Sequence, residues 1–115
     1  MSGNTSKFTE VDVALGIATS TVGAATVNTQ VGLVTTEALT TAAAATYTFT
    51  LTNALINASS IVMVTVGKGT ATTGEPAVHF VTPATGSVVI LIRNDAAVAA
   101  LNGTIKIGFA VYNLT

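Results

Sequence analysis

The residues of this chain that could carry chemistry are few, and their spacing does not bring them together. His79 is the only histidine, and Ser87 and Asp95 are the nearest groups in sequence that could complete a relay with it. A hydroxyl nucleophile needs its base, and the group orienting that base, within hydrogen-bond reach. His79 sits in "AVHFV", where alternation along a strand puts it on the face opposite Val78 and Phe80. A strand histidine turned to solvent or to an interface is the simpler reading. Glu10 and Asp12 share a strand face or one helical turn, but a metal site needs further ligands and none stands nearby. Nothing singles out one pair among the five acids for glycoside hydrolysis. "GKGTATTG" (67–74) contains the residue types of a phosphate cradle in the wrong order. Val62 and Met63 stand where the leading glycine would fall, and a strand pattern follows in place of a helix. Asn4, Asn57, Asn102 and Asn113 each open an N-x-[ST] triplet, which a Thr-rich chain produces by chance. The expectation is a protein that is not an enzyme, with no catalytic residues, no metal site and no cofactor.

Composition narrows the class further. The chain has 115 residues, of which 8% are charged and 50% hydrophobic, with net charge −1 and no cysteine. Ordinary globular proteins carry about 25% charged residues. The apolar runs "IVMV" (61–64), "VVILI" (88–92) and "AAVAAL" (96–101) are far shorter than the ~20 residues of a spanning helix. An outer-membrane barrel needs about eight strands and girdles of aromatic residues; the chain has room for six or seven strands and is 5% aromatic. The opening residues show no basic segment followed by an apolar one, so no export signal is expected. Lys7, Lys68, Arg93 and Lys106 are scattered, which leaves no patch to follow a phosphate backbone. Neither a membrane nor a nucleic acid is an expected partner. Charge normally keeps monomers apart. A chain without it is expected to cover its surface with copies of itself or with a partner.

The elements that would position these residues follow from periodicity. Residues 1–31 read as an extended N-terminal arm with one strand. Val11, Val13, Leu15 and Ile17 alternate, while Phe8, Val11, Leu15, Ala18 and Val22 also fit helical spacing; Gly16, Gly23 and the β-branched residues disfavour a long helix. Residues 32–115 read as one domain of short strands: "GLVTTEAL", "TYTFTLTN", "SIVMVTV", "AVHFV", "SVVILIRN" and "TIKIGFAVYNL". Gly, Pro and Asn clusters punctuate them. "DAAVAALNG" is a loop with room for one short helical turn. The fold class expected is all-β, an antiparallel β-sandwich or jelly-roll-like barrel.

The strand faces point to assembly. In "TYTFTLTN", Tyr47, Phe49 and Leu51 form a core face, and Thr46, Thr48, Thr50 and Thr52 the outer one. "SIVMVTV" and "VVILI" are apolar on both faces, so a third layer is expected over them. Threonine is a good strand former that costs little to desolvate beside Lys or Glu. The residues expected at an interface are Phe8, Val11, Val13 and Leu15 on the arm, Val62, Val64 and Val66, and Thr48 and Thr50. A homo-oligomer is expected, with a threefold ring as the preferred arrangement.

"TTEALTTAAAATYTFTLTNALINASS" and "TPATGSVVILIRNDAAVAALNGTIKIGFAVYNL" together resemble small Thr/Ala/Val-rich β-proteins of tailed-bacteriophage virions, over residues 32–115; the arm matches nothing comparable. The resemblance implies a cement or decoration protein on the capsid surface, trimeric on a local threefold axis, with the major capsid protein as partner. It carries over no site residues. A trimeric tail-fibre or receptor-binding module is the alternative. Such a module calls for exposed aromatic residues and Asn/Asp-rich loops for sugar contact, whereas the aromatic residues here fall almost entirely inside strands.

Overall fold

Alternation of β-branched and small residues, broken by Gly, Asn and Pro, produces eight strands in the computed structural model, which describes residues 15–113. They are β1 (Leu15–Thr19), β2 (Ala24–Thr26), β3 (Val31–Thr35), β4 (Thr46–Thr52), β5 (Ile61–Lys68), β6 (Pro76–Ala84), β7 (Ser87–Asn94) and β8 (Ile105–Tyr112). All regular structure among the described residues is β, as expected. The six strands expected from "GLVTTEAL" onward correspond to β3–β8, and "DAAVAALNG" forms bends without a helical turn.

The strands fall into two four-stranded sheets, ordered β1-β3-β8-β5 and β2-β4-β7-β6. Both sheets are mixed, which corrects the expectation of purely antiparallel pairing. β3–β8, β8–β5, β4–β7 and β7–β6 are antiparallel. β1 lies parallel to β3, and β2 lies parallel to β4. The segment read as an arm thus supplies two strands, one to the edge of each sheet, instead of one. The strand count rises to eight accordingly, divided between two open sheets.

Alternation places one face of each sheet in a shared core. Phe49 and Leu51 of β4, Val88, Ile90 and Ile92 of β7, Ile105, Ile107, Phe109 and Val111 of β8, and Val34 of β3 belong to one buried cluster. Each such side chain contributes roughly 1.5–3 kcal/mol when removed from water. Gly32 admits the Phe109 ring, since a Cβ there would lie 2.5 Å from it. Both prolines, Pro76 and Pro83, sit in β6 at the outer edge of the second sheet, where a missing N–H leaves no ladder bond broken.

Buried asparagines hold the loops. Asn94 is fully buried; its amide donates to the carbonyls of Thr41 and Ala99, and its oxygen accepts from the Glu75 and Ala96 amides. Asn53, also fully buried, donates to the Thr29 carbonyl at 2.7 Å and accepts from the Leu55 amide.

Candidate assembly faces

The outer face of the first sheet is assembled by register. Four rows of outward residues cross it: Ile61 with Tyr112; Leu15, Val31, Ala110 and Met63; Ile17, Leu33, Gly108 and Thr65; Thr19, Thr35, Lys106 and Gly67. Leu15 is 63% exposed, Ile17 74% and Met63 59%. Isolated apolar residues at a surface are ordinary, but a contiguous apolar patch marks an interaction site. At its centre, Gly108 presents no side chain. A shallow hollow of about 360 Å³ opens there, walled by Val31, Met63, Thr65 and Tyr112 over Gly108 and Ala110.

The second sheet presents a different outer face. Thr48 pairs with Leu91 and Thr50 with Val89, and Leu91 and Val89 pair in turn with Phe80 and Thr82 of β6. Phe80 is exposed. The result is a threonine ladder beside a short apolar row, with Arg93 the charged residue on its strands. Arg93 forms an exposed ion pair with Asp95 at 3.0 Å, a contact of small energetic weight.

The residues singled out from sequence divide between these surfaces and the interior. Leu15 lies on the open face of the first sheet. Thr48 is exposed, and Thr50 half-buried, on the second sheet. Val62, Val64 and Val66 are half-buried and pack against the core. Alternation therefore gives the open face of β5 to Ile61 and Met63, a two-sided apolar strand being filled by the core on the valine side. Phe8, Val11 and Val13 lie outside the described residues, as do Glu10 and Asp12.

The candidate relay does not assemble. His79 occupies a bulge in β6 between Val78 and Phe80 and is exposed. Ser87 pairs with Ala84 at the hairpin end, four β7 residues from the row of Phe80 and Leu91, which is about 13 Å along a strand. Asp95 lies beyond the opposite end of β7. Among the described residues, no group of three metal-ligating side chains comes together. Of the N-x-[ST] asparagines, Asn102 accepts from the Thr72 and Thr73 amides, and Asn113 donates to the Leu55 carbonyl.

One polar cluster went unnoticed in the sequence. The Glu37 carboxylate accepts hydrogen bonds from the Ser20 hydroxyl, the Gly23 amide at 2.8 Å and the Tyr47 hydroxyl. Burial alone would raise this carboxyl. The Ser20 hydroxyl, its own backbone, Tyr47 and the Gly23 amide together outweigh burial and hold it below the usual carboxylate value. Burial, partly opposed by Ser20 and reinforced by the Glu37 charge, pushes the Tyr47 phenol up to about 12. Ser20 precedes, and Gly23 lies within, the turn that carries the chain from the first sheet to the second, so the cluster clamps that crossover. Its donors all point at the carboxylate, which is the geometry of a structural tie.

Comparison with protein-family models, with curated proteins and with solved structures finds no match.

Proposed function

We propose that this chain is a structural protein of a tailed-bacteriophage particle: a cement or decoration protein that stabilises the head as a homo-oligomer seated on the major capsid protein at the capsid surface. The observation that carries this reading is where the charges lie. All three described acids, Glu37, Glu75 and Asp95, fall in loops. The paired rows of the two outer faces hold one cation each, Lys106 and Arg93, with Lys68 at the tip of β5. Two broad faces that are open and nearly uncharged suit a molecule covered on both sides, by its own copies and by a shell. Many modest contacts repeated by symmetry hold such a part in place without one strong site.

The finer architecture proposed is a sandwich of the jelly-roll kind. β3 pairs with β8 and β4 pairs with β7, while β5 and β6 lie side by side in sequence at the far edges of the two sheets. That is the pattern of one long antiparallel ribbon folded over so that its two faces enclose the core.

Mass spectrometry of purified particles, followed by localisation in a particle reconstruction, tests the reading. Density on the capsid surface is the expected result. Density at the tail tip alone would replace it with the receptor-binding module, and absence from particles would overturn the virion assignment.

A further inference from the structure

We infer that the outer face of the first sheet docks a second copy of this chain, face to face about a two-fold axis; this rests on the homo-oligomeric part of the reading above and puts a two-fold contact in place of the threefold ring. A two-fold contact requires one surface to be complementary to itself, whereas a ring requires two different surfaces that fit each other. The rows of this face meet the first condition. An axis lying in the interface, across the strands and midway between the Ala110 and Gly108 rows, exchanges the first row with the fourth and the second with the third.

On β5 each large side chain then opposes a small one, while at the other edge of the face Leu15 meets Ile17 and Val31 meets Leu33, apolar against apolar. Ile61 of one copy stands over Gly67 of the other. Met63 stands over Thr65 at the rim of the hollow above Gly108. Ala110 opposes Gly108 itself. Tyr112 stands over Lys106, where an aromatic ring offers a cation a favourable face. The same axis keeps the two Lys106 side chains apart. An axis running along β8 would instead bring them together, a like-charge contact that disfavours association. The axis across the strands therefore separates the two cations and sets apolar side chains against one another.

The extent of the face sets the strength of the contact. At ~3.3 Å per residue and ~4.8 Å between strands, the four strands lay down on the order of 400 Å² of sheet. A standard interface buries about 800 Å² per partner. The contact belongs to the weak class, with dissociation in the micromolar range, as suits a part whose neighbours are held close by a shell.

Sedimentation equilibrium of the full chain from low to high micromolar concentration, with native mass spectrometry to count subunits, tests this. The expected result is a reversible monomer–dimer equilibrium. Met63→Glu and Thr65→Lys, both at exposed positions, should each leave the β circular-dichroism spectrum unchanged and the protein monomeric. Mixing the two variants should restore a dimer containing one of each, because position 63 of one copy faces position 65 of the other. A trimer, a wild type that stays monomeric throughout, single variants that dimerise like wild type, or a mixture that stays monomeric would each overturn the inference. Particle localisation separates this outcome from the virion reading: a dimer absent from particles removes the virion and keeps the contact, and a monomer found on capsids does the reverse.

Discussion

The Tyr47 hydroxyl lies 3.1 Å from both oxygens of the Glu37 carboxylate, joining the exit of β3 in one sheet to the beginning of β4 in the other. Ser20 and the Gly23 amide bind the same carboxylate. The last ladder bond in the first sheet, Ser20 N–H to the Thr35 carbonyl, and the first in the second sheet, Thr50 N–H to the Gly23 carbonyl, flank this clamp. One acid thus fixes the point at which the chain leaves one edge for the other.

Stability should fall at both ends of the pH scale because of this pair. The Glu37 carboxyl is held below its ordinary value, so its contribution is complete above the unfolded value of about 4.3. It disappears as pH falls through the lower folded value. Tyr47 behaves in the opposite sense. Its phenol is pushed up to about 12, so the folded state favours the neutral form; that contribution is present below the unfolded value of about 10 and is lost as pH rises beyond it. Melting temperature measured across pH should decline on both flanks, and Tyr47→Phe should flatten the alkaline decline. At neutral pH, Glu37→Gln should cost about 1.5–3 kcal/mol, the range for hydrogen bonds to a charged group.

The crossover turn holds a removable strain. Val22 and Gly23 both have positive φ, +48° and +73°, as the central residues of a tight primed turn require. Glycine accepts this conformation, but a β-branched residue resists it. The Val22 side chain is 89% exposed and loses little packing if replaced. Val22→Asn should raise stability by about 1 kcal/mol. Gly23→Ala should lower it by about 2 kcal/mol or more, because its Cβ would also lie 2.7 Å from the Thr48 carbonyl oxygen. Urea denaturation measures both, and a Val22→Asn variant no more stable than wild type would remove strain from the account of this turn.

Asn94 is the polar residue on which the loops at its end of the molecule depend. Asn94→Ala would leave the Thr41 and Ala99 carbonyls and the Glu75 and Ala96 amides without this partner. The expected loss is about 3 kcal/mol or more, visible as a lower urea midpoint. Asn102→Ala, at an exposed site, should cost about 1 kcal/mol.

Strand positions and core faces could be read from local period because alternation is itself the cause of burial. Tyr47, Phe49 and Leu51 point inward for the reason visible in "TYTFTLTN". Partnership is a different kind of information. Nothing in "LGIAT" or "AAT" states that one runs parallel to β3 and the other parallel to β4, since ladder bonds are made by backbone groups every residue shares. The same limit applies to Val62, Val64 and Val66, which pack against the core. Both faces of β5 are apolar, and which one meets the core depends on the register with β8. Asn94 and Glu37 were not recognisable as structural because their partners lie in other segments, Thr41 for the first and Ser20 for the second.

Thr48→Lys separates the two outer faces. Thr48 is exposed on the second sheet, on the side of the molecule away from the Met63 face, and a lysine on a wet strand surface is ordinarily harmless. If the threonine ladder meets the shell, burying an ammonium there carries a desolvation cost with no partner supplied. The Thr48→Lys protein should keep its melting temperature and its monomer–dimer equilibrium while its binding to particles falls tenfold or more, equivalent to at least about 1.4 kcal/mol. Thr50→Lys is the less clean variant, because Thr50 is half-buried beside β2 and its amide bonds Gly23. Co-sedimentation with particles stripped of this protein measures the binding. Undiminished binding by Thr48→Lys would mean that the ladder faces water in the particle. The shell contact would then have to be sought on the loops that carry Glu75 and Asp95, where the acids of this chain are placed.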